Sequence, residues 1–176
     1  MWFLHYVNHW NNVKIREGVE YRYMLKQEQT HKQIDALFKC YGDRKDNLRI
    51  IIAGTRTYND YSALCDAVDG IISEFLMSCP GCKVTIISGH ASGADVMGER
   101  YAHENGYDLK VFPAEWKLYG KMAGPVRNRQ MLNYAKGGFP LVIAFWDGRS
   151  RGTKNMIEIS KDSNVAVYVY EIGAER

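Results

Sequence analysis

The segment LRIIIAG, residues 48–54, is a short and nearly unbroken apolar run, the pattern of a strand covered on both faces. Four later runs have the same character: KVTIISG at 83–89, DLKVF at 108–112, PLVIAFW at 140–146 and VAVYVY at 165–170. Between them the period lengthens. Tyr61, Leu64, Val68, Ile71, Ile72 and Phe75 fall on one helical face, and Asn59 and Asp60 precede them as capping residues. A second helix is predicted from about 94 to 105, ended by Gly106. Two more are predicted near 125–136, with Pro125 in the first turn, and near 153–161. Five strands alternating with four helices predict an α/β, Rossmann-like, three-layer fold with a mostly parallel sheet. In the strand order 3-2-1-4-5 the chain reverses between the first and fourth strands. A ligand crevice then opens where the loops after those strands diverge.

The first 47 residues are different. They are polar and aromatic by turns, with Trp2, Phe3, Tyr6, Trp10, Tyr21 and Tyr23. Ile34, Leu37, Phe38 and Tyr41 recur at helical spacing, which predicts a helix near 19–40, and YGDRKDN at 41–47 reads as a connecting loop. The expected organisation is an aromatic, helical extension over 1–47 and an α/β domain over 48–176. Aromatic side chains are costly to leave in water, so the extension is expected to pack on the domain or across a subunit interface. A homodimer is the expected assembly.

Bulk properties narrow the classes. A chain of 176 residues with 46% apolar and 24% charged residues suits one domain with a sizeable core. The net charge of +3 fits a small anionic ligand and argues against a dedicated nucleic-acid binder. No apolar run has the length of a membrane span, and MWFLHYVNHW lacks the basic lead of a signal peptide. A cytoplasmic location without membrane contact is expected. Of the cysteines, Cys40, Cys65, Cys79 and Cys82, the last two enclose Pro80 and Gly81 with the spacing of half a zinc site. A second such pair is absent, so the segment reads as a turn, and no metal site or required cofactor is expected.

Candidate chemistry lies in the loops after the strands. In SGHASGAD, Ser88, Gly89, His90, Gly93, Ala94 and Asp95 connect a strand to a helix. Small residues there admit a phosphate to backbone amides, and the helix N-terminus favours negative charge; the alternative is a tight turn serving only helix–strand packing. DGRSRGT is a second such loop, with Asp147, Gly148, Ser150, Arg151, Gly152 and Thr153, and GTR places Gly54, Thr55 and Arg56 at the end of the first strand. Residues 113–124 form a long connection, unusual unless it binds something. In it, Trp116 and Tyr119 could stack on a base and Lys121 could reach a phosphate. Arg127 and Asn128 are expected in the first turn of the next helix, pointing to the crevice. Read blandly, Trp116 is a core residue and Arg127 a solvated charge.

Taken in order, GTR, SGHASGAD, PAEWKLYGKMAGPVRNRQM and FWDGRSRGTKNMI resemble the SLOG superfamily of Rossmann-like nucleotide-binding proteins. The nearest likeness is to the YspA, cpYpsA-related type of bacteria and phages, over residues 48–170. The resemblance implies a nucleotide or nucleotide-derived ligand such as AMP, ADP-ribose or NAD, held by amides at 89–94 and 148–153 with Arg56, Arg127 and Thr153. His90 departs from the pattern, which leads one to expect a second glycine there, and narrows the approach of a phosphate.

The LOG phosphoribohydrolases of the same superfamily carry an arginine-bearing helix and a GGxGTxxE loop. The resemblance aligns Arg127 with their catalytic arginine, Gly152-Thr153 with the phosphate loop, and Met156 with the missing glutamate. A carboxylate stabilises the oxocarbenium-like state of N-glycosidic cleavage, and methionine does not. Asp147 and Asp95 are the candidate replacements, although Asp147 could equally cap its own loop. The expected function is therefore nucleotide binding as a sensor, with LOG-type cleavage slow. Nucleotide hydrolysis through Arg127 with Asp147 or Asp95 is the alternative. DprA-like binding of single-stranded DNA is a further one, which the small net charge disfavours.

Overall fold

The computed structural model describes Lys32 and residues 46–173. The helix expected near 19–40 and the packing of the aromatic extension lie outside the described residues. The first strand, β1, runs Asn47–Gly54, followed by β2 (Lys83–Ser88), β3 (Asp108–Val111), β4 (Phe139–Trp146) and β5 (Ala166–Glu171). All pairings are parallel and the sheet order is β3-β2-β1-β4-β5, as the alternating pattern predicts. The helices are α1 (Tyr61–Ser78), α2 (Ala94–Asn105), the short α3 (Trp116–Tyr119), α4 (Ala123–Ala135) and α5 (Arg151–Asp162).

Strand β1 shows why the apolar runs are unbroken. Leu48, Ile50 and Ile52 join Leu64, Val68, Ile71 and Phe75 of α1 and Tyr101 of α2 in one core. Ile51 and Ala53 point to the other face, with Met131 and Leu132 of α4 and Met156 of α5. Both faces of β1 are therefore dry, and each fully buried isoleucine contributes about 1.5–3 kcal/mol relative to exposure. The edge strands β3 and β5 hold no buried residue, so the two-sided cover expected of their runs is incomplete. At the ends of the helices, Asp60 caps α1 by accepting from the Ala63 amide at 3.0 Å. Gly106 closes α2 in the left-handed conformation.

Three local expectations shift. The connection at 113–124 is not an open loop: it holds α3 and a 3-10 turn at Gly120–Met122. Helix α4 therefore starts at Ala123, and Arg127 and Asn128 sit in its second turn rather than its first. Helix α5 starts at Arg151, because Ser150 is its N-cap. The Cys79–Cys82 turn between α1 and β2 is closed by a disulfide, where the spacing alone suggests a plain turn. Among the described residues no helix is long and apolar enough to cross a membrane.

Candidate functional site

At the C-terminal ends of β1, β2 and β4 a cleft of about 910 Å³ opens, at the point where the strand order reverses. Its walls include Gly54, Thr55 and Arg56 after β1, and Gly89, His90 and Asp95 after β2. Trp116 and Lys121 flank it, Arg127 and Asn128 come from α4, and Asp147, Ser150, Arg151, Gly152 and Thr153 complete it. Five expected residues are not in the lining, among them the exposed Tyr119. Ser88 and Ala94 are fully buried beneath it, Gly93 is the N-cap of α2, and Gly148 is exposed on the outside of its turn.

Arg127 is not a solvated charge. Its Nη1 donates to the Gly89 carbonyl at 2.5 Å and lies 3.4 Å from Asp95 Oδ2. The guanidinium occupies the space that a side chain at position 89 would need, so glycine at the end of β2 is a condition of this contact. The Nε of Arg127 is buried without a partner among the described residues, and burial lowers the pKa of the group. Trp116 is half-exposed, with its ring edge above Gly124. It is a wall residue rather than a core one.

The two aspartates have opposite environments. Asp95 is buried at the floor, and its Oδ2 accepts from the Ala91 amide at 3.4 Å. Burial pushes its carboxyl up to about 6, against the opposing effects of Arg127 and of the Ala91, Gly54 and Gly89 amides. Asp147 Oδ1 accepts from the amides of Ser150 at 2.8 Å and Arg149 at 2.9 Å. Those bonds hold its carboxyl below the usual range. Its geometry is that of a loop cap. The same loop continues into α5 through Ser150, whose Oγ accepts from the Thr153 amide and lies 3.0 Å from Thr153 Oγ1.

Asn128 is a strut between helices: its Nδ2 donates to the Gly152 carbonyl at 3.1 Å and to Asn155 Oδ1 at 3.0 Å. His90 has φ +57, the left-handed region that favours glycine. Its amide donates to Ser88 Oγ at 3.0 Å, and its ring Nδ1 lies 3.0 and 3.2 Å from the two carboxylate oxygens of Glu99. The ring is thus drawn toward α2.

Met156 corrects an expectation. The position aligned with the LOG glutamate is fully buried against the sheet, in the core with Ile51, Ala53 and Leu132. A glutamate restored there would place a carboxylate in the core and not in the cleft. The apolar pair Met156-Ile157 was a readable signal of that direction. Asn155, its neighbour, lines the cleft instead. Sequence reasoning also missed Ser92, Pro113 and Pro125 in the lining, along with Glu99. The signal for Glu99 was available: it stands one turn after Asp95 on the same helix.

Residues 48–119 match the model of the family described as YspA, cpYpsA-related SLOG. The Gene 61 protein of Mycobacterium phage D29 is similar, 29% identical over 124 residues, which are 68% of this chain and 93% of that protein. No solved structure gives a significant match. The matched segment runs from β1 through α3 of the parallel 3-2-1-4-5 sheet, and over those residues, 48–119, the chain is similar to the YspA, cpYpsA-related SLOG family.

Proposed function

We propose that the cleft binds a nucleotide-type ligand, with AMP, ADP-ribose and NAD as candidates, and that the protein acts as a nucleotide sensor or binding protein. The observation that carries this is Arg127. A guanidinium buried between two glycine-containing strand-to-helix loops, with an unpartnered Nε, is an unusual expense unless it meets an anion. Arg56, Lys121 and Arg151 line the same cleft and extend the positive field. Helix α2 has no side-chain cap, so its first-turn amides add to that field. Trp116 supplies a face for the base. No cofactor is needed for this role. Thermal-shift titrations with AMP, ADP-ribose and NAD test it: Arg127→Ala should weaken binding by about 1.5–3 kcal/mol. Equal affinity in the two proteins would remove Arg127 from the site.

A second reading is hydrolysis of the N-glycosidic bond, and Asp95 favours it. This carboxylate lies at the floor beside Arg127, where it could face a cationic sugar. Asp147 is the weaker candidate, because its Oδ1 is committed to loop amides. Binding of single-stranded DNA is not expected, and a gel shift at low and high salt checks that. A homodimer is expected from the aromatic extension; light scattering of the full chain against one starting near Asp46 would test it.

A further inference from the structure

N-glycosidic cleavage of a purine nucleotide needs a proton for the departing base as well as a carboxylate for the sugar. Among the described residues lining the cleft, the carboxylates are Asp95 and Asp147. Asp147 is held ionised by two amides, and Asp95, at the floor beside the Arg127 guanidinium, is the carboxylate left to face the sugar, so a separate group is needed to protonate the base. The arginines and Lys121 hold their protons too tightly. His90 remains. It lines the cleft, and imidazole is the side chain that both gives and takes protons near neutrality.

Its surroundings are built rather than incidental. Ser88 Oγ, fully buried, donates to Glu99 Oε1 at 2.6 Å. That bond fixes a carboxylate which is only 15% exposed. The fixed carboxylate receives His90 Nδ1, so the proton on that nitrogen is held toward Glu99. Nε2 is left without a protein partner among the described residues. A histidine held at φ +57 carries a backbone cost that glycine would not. A base oriented by a carboxylate, itself oriented by a third group, is the arrangement of a proton-transfer residue.

We infer that His90, positioned by Glu99, is the proton-transfer residue of the cleft and protonates the base of a bound nucleotide as its N-glycosidic bond breaks. This rests on the nucleotide reading above. The C1′–N bond breaks with its electron pair going to the base, which takes the Nε2 proton of the imidazolium form and leaves the neutral ring with its Nδ1 proton held toward Glu99. The oxocarbenium sugar is stabilised by the Asp95 carboxylate. Water then adds at C1′ and returns a proton to the imidazole. Nucleotide and water become free base and sugar phosphate, with no other reactant.

The test uses the full chain with AMP as the probe, measuring adenine release by chromatography and AMP binding by calorimetry. His90→Gly suits the left-handed backbone and so keeps the loop. It should lower the rate of adenine release at saturating AMP about 10²-fold or more, on the general acid–base scale. Added imidazole should restore part of that loss, which a structural role would not allow. Glu99→Gln should give a smaller loss, about tenfold, because it disorients the ring without removing it. AMP that binds the wild type without adenine release would overturn the inference while leaving the nucleotide reading intact, as would undiminished release by His90→Gly. Absence of AMP binding would defeat both.

Discussion

The loops after β2 and β4 look alike as sequence, each a strand running into small residues and then a helix, yet they are held in opposite ways. The loop after β4 is held largely from within, its outside contacts being the Asp147 amide to Thr55 Oγ1 at 3.3 Å and Asn128 Nδ2 to the Gly152 carbonyl. Asp147 takes two amides of its own turn, and Ser150 caps α5 through Thr153. The loop after β2 borrows its supports from elsewhere. Arg127 of α4 grips the Gly89 carbonyl, Glu99 of α2 holds Ser88 and His90, and Gly93 leaves no room for a side chain against the backbone at Thr55 and Arg56. One aspartate belongs to each loop. Burial raises the pKa of Asp95, whereas loop amides lower that of Asp147. A self-capped loop can present amides to a ligand with little dependence on its neighbours. A loop held by distant residues couples its shape to whatever those residues touch.

The sharpest way to break the comparison is a methyl group in each loop. Gly93 has φ +83, and a Cβ there would run into the Thr55 carbonyl and the Arg56 backbone, neither of which can turn aside. Gly93→Ala should cost about 3–4 kcal/mol, from left-handed strain and overpacking together. Gly148 has φ +76 with open space around it, so Gly148→Ala should cost only about 1–2 kcal/mol. Urea denaturation of both variants measures the gap, and equal losses would dissolve the distinction.

Proton linkage comes next. Burial pushes the carboxyl of Asp95 up to about 6 in the folded protein from 3.8 for a free side chain, so the folded state holds its proton more tightly. The stabilisation is full below pH 3.8 and is lost as pH rises through about 6, a change on the order of 3 kcal/mol for this group. Asp147 acts with the opposite sign. Its contribution is present at higher pH and fades as acid protonates it below the usual carboxylate range. Unfolding free energies of wild type and Asp95→Asn at about pH 3.5 and about pH 7.5, either side of the transition, should show a flatter profile in the variant. An unchanged profile would mean that Asp95 does not titrate as its burial implies.

Arg127→Ala probes the support of the β2 loop directly. Besides its effect on ligand, the change leaves Asp95 buried without its cation, and stability should fall by about 2 kcal/mol. Thermal unfolding without nucleotide detects this; a variant as stable as wild type would show that the β2 loop stands without α4. The smallest effect is expected at Ser150→Ala, where loss of the N-cap should cost about 1 kcal/mol. Hydrogen exchange should confine that loss to the first turn of α5, because the β4 loop is supported locally.

Much of this architecture was legible before any coordinates. Apolar runs with no polar alternation require burial on both faces, which requires helices on both sides and a parallel sheet. From this followed the strand order and the end of the sheet where the cleft opens. Capping by Asp60 and helix termination at Gly106 are local chemistry, so they too were readable. What only the tertiary structure decided is how side chains distant in sequence meet. The burial of Arg127 depends on a glycine 38 residues earlier, and the strut from Asn128 depends on α4 and α5 lying side by side. The direction of Met156 depends on how α5 rotates to bury its apolar face. The His90–Glu99 pair depends on a left-handed backbone that no propensity assigns to histidine. Periodicity reports which face of an element is dry, because burial is averaged over many residues. Pairing between particular side chains is set by the packing of whole elements, and no average along the chain contains it.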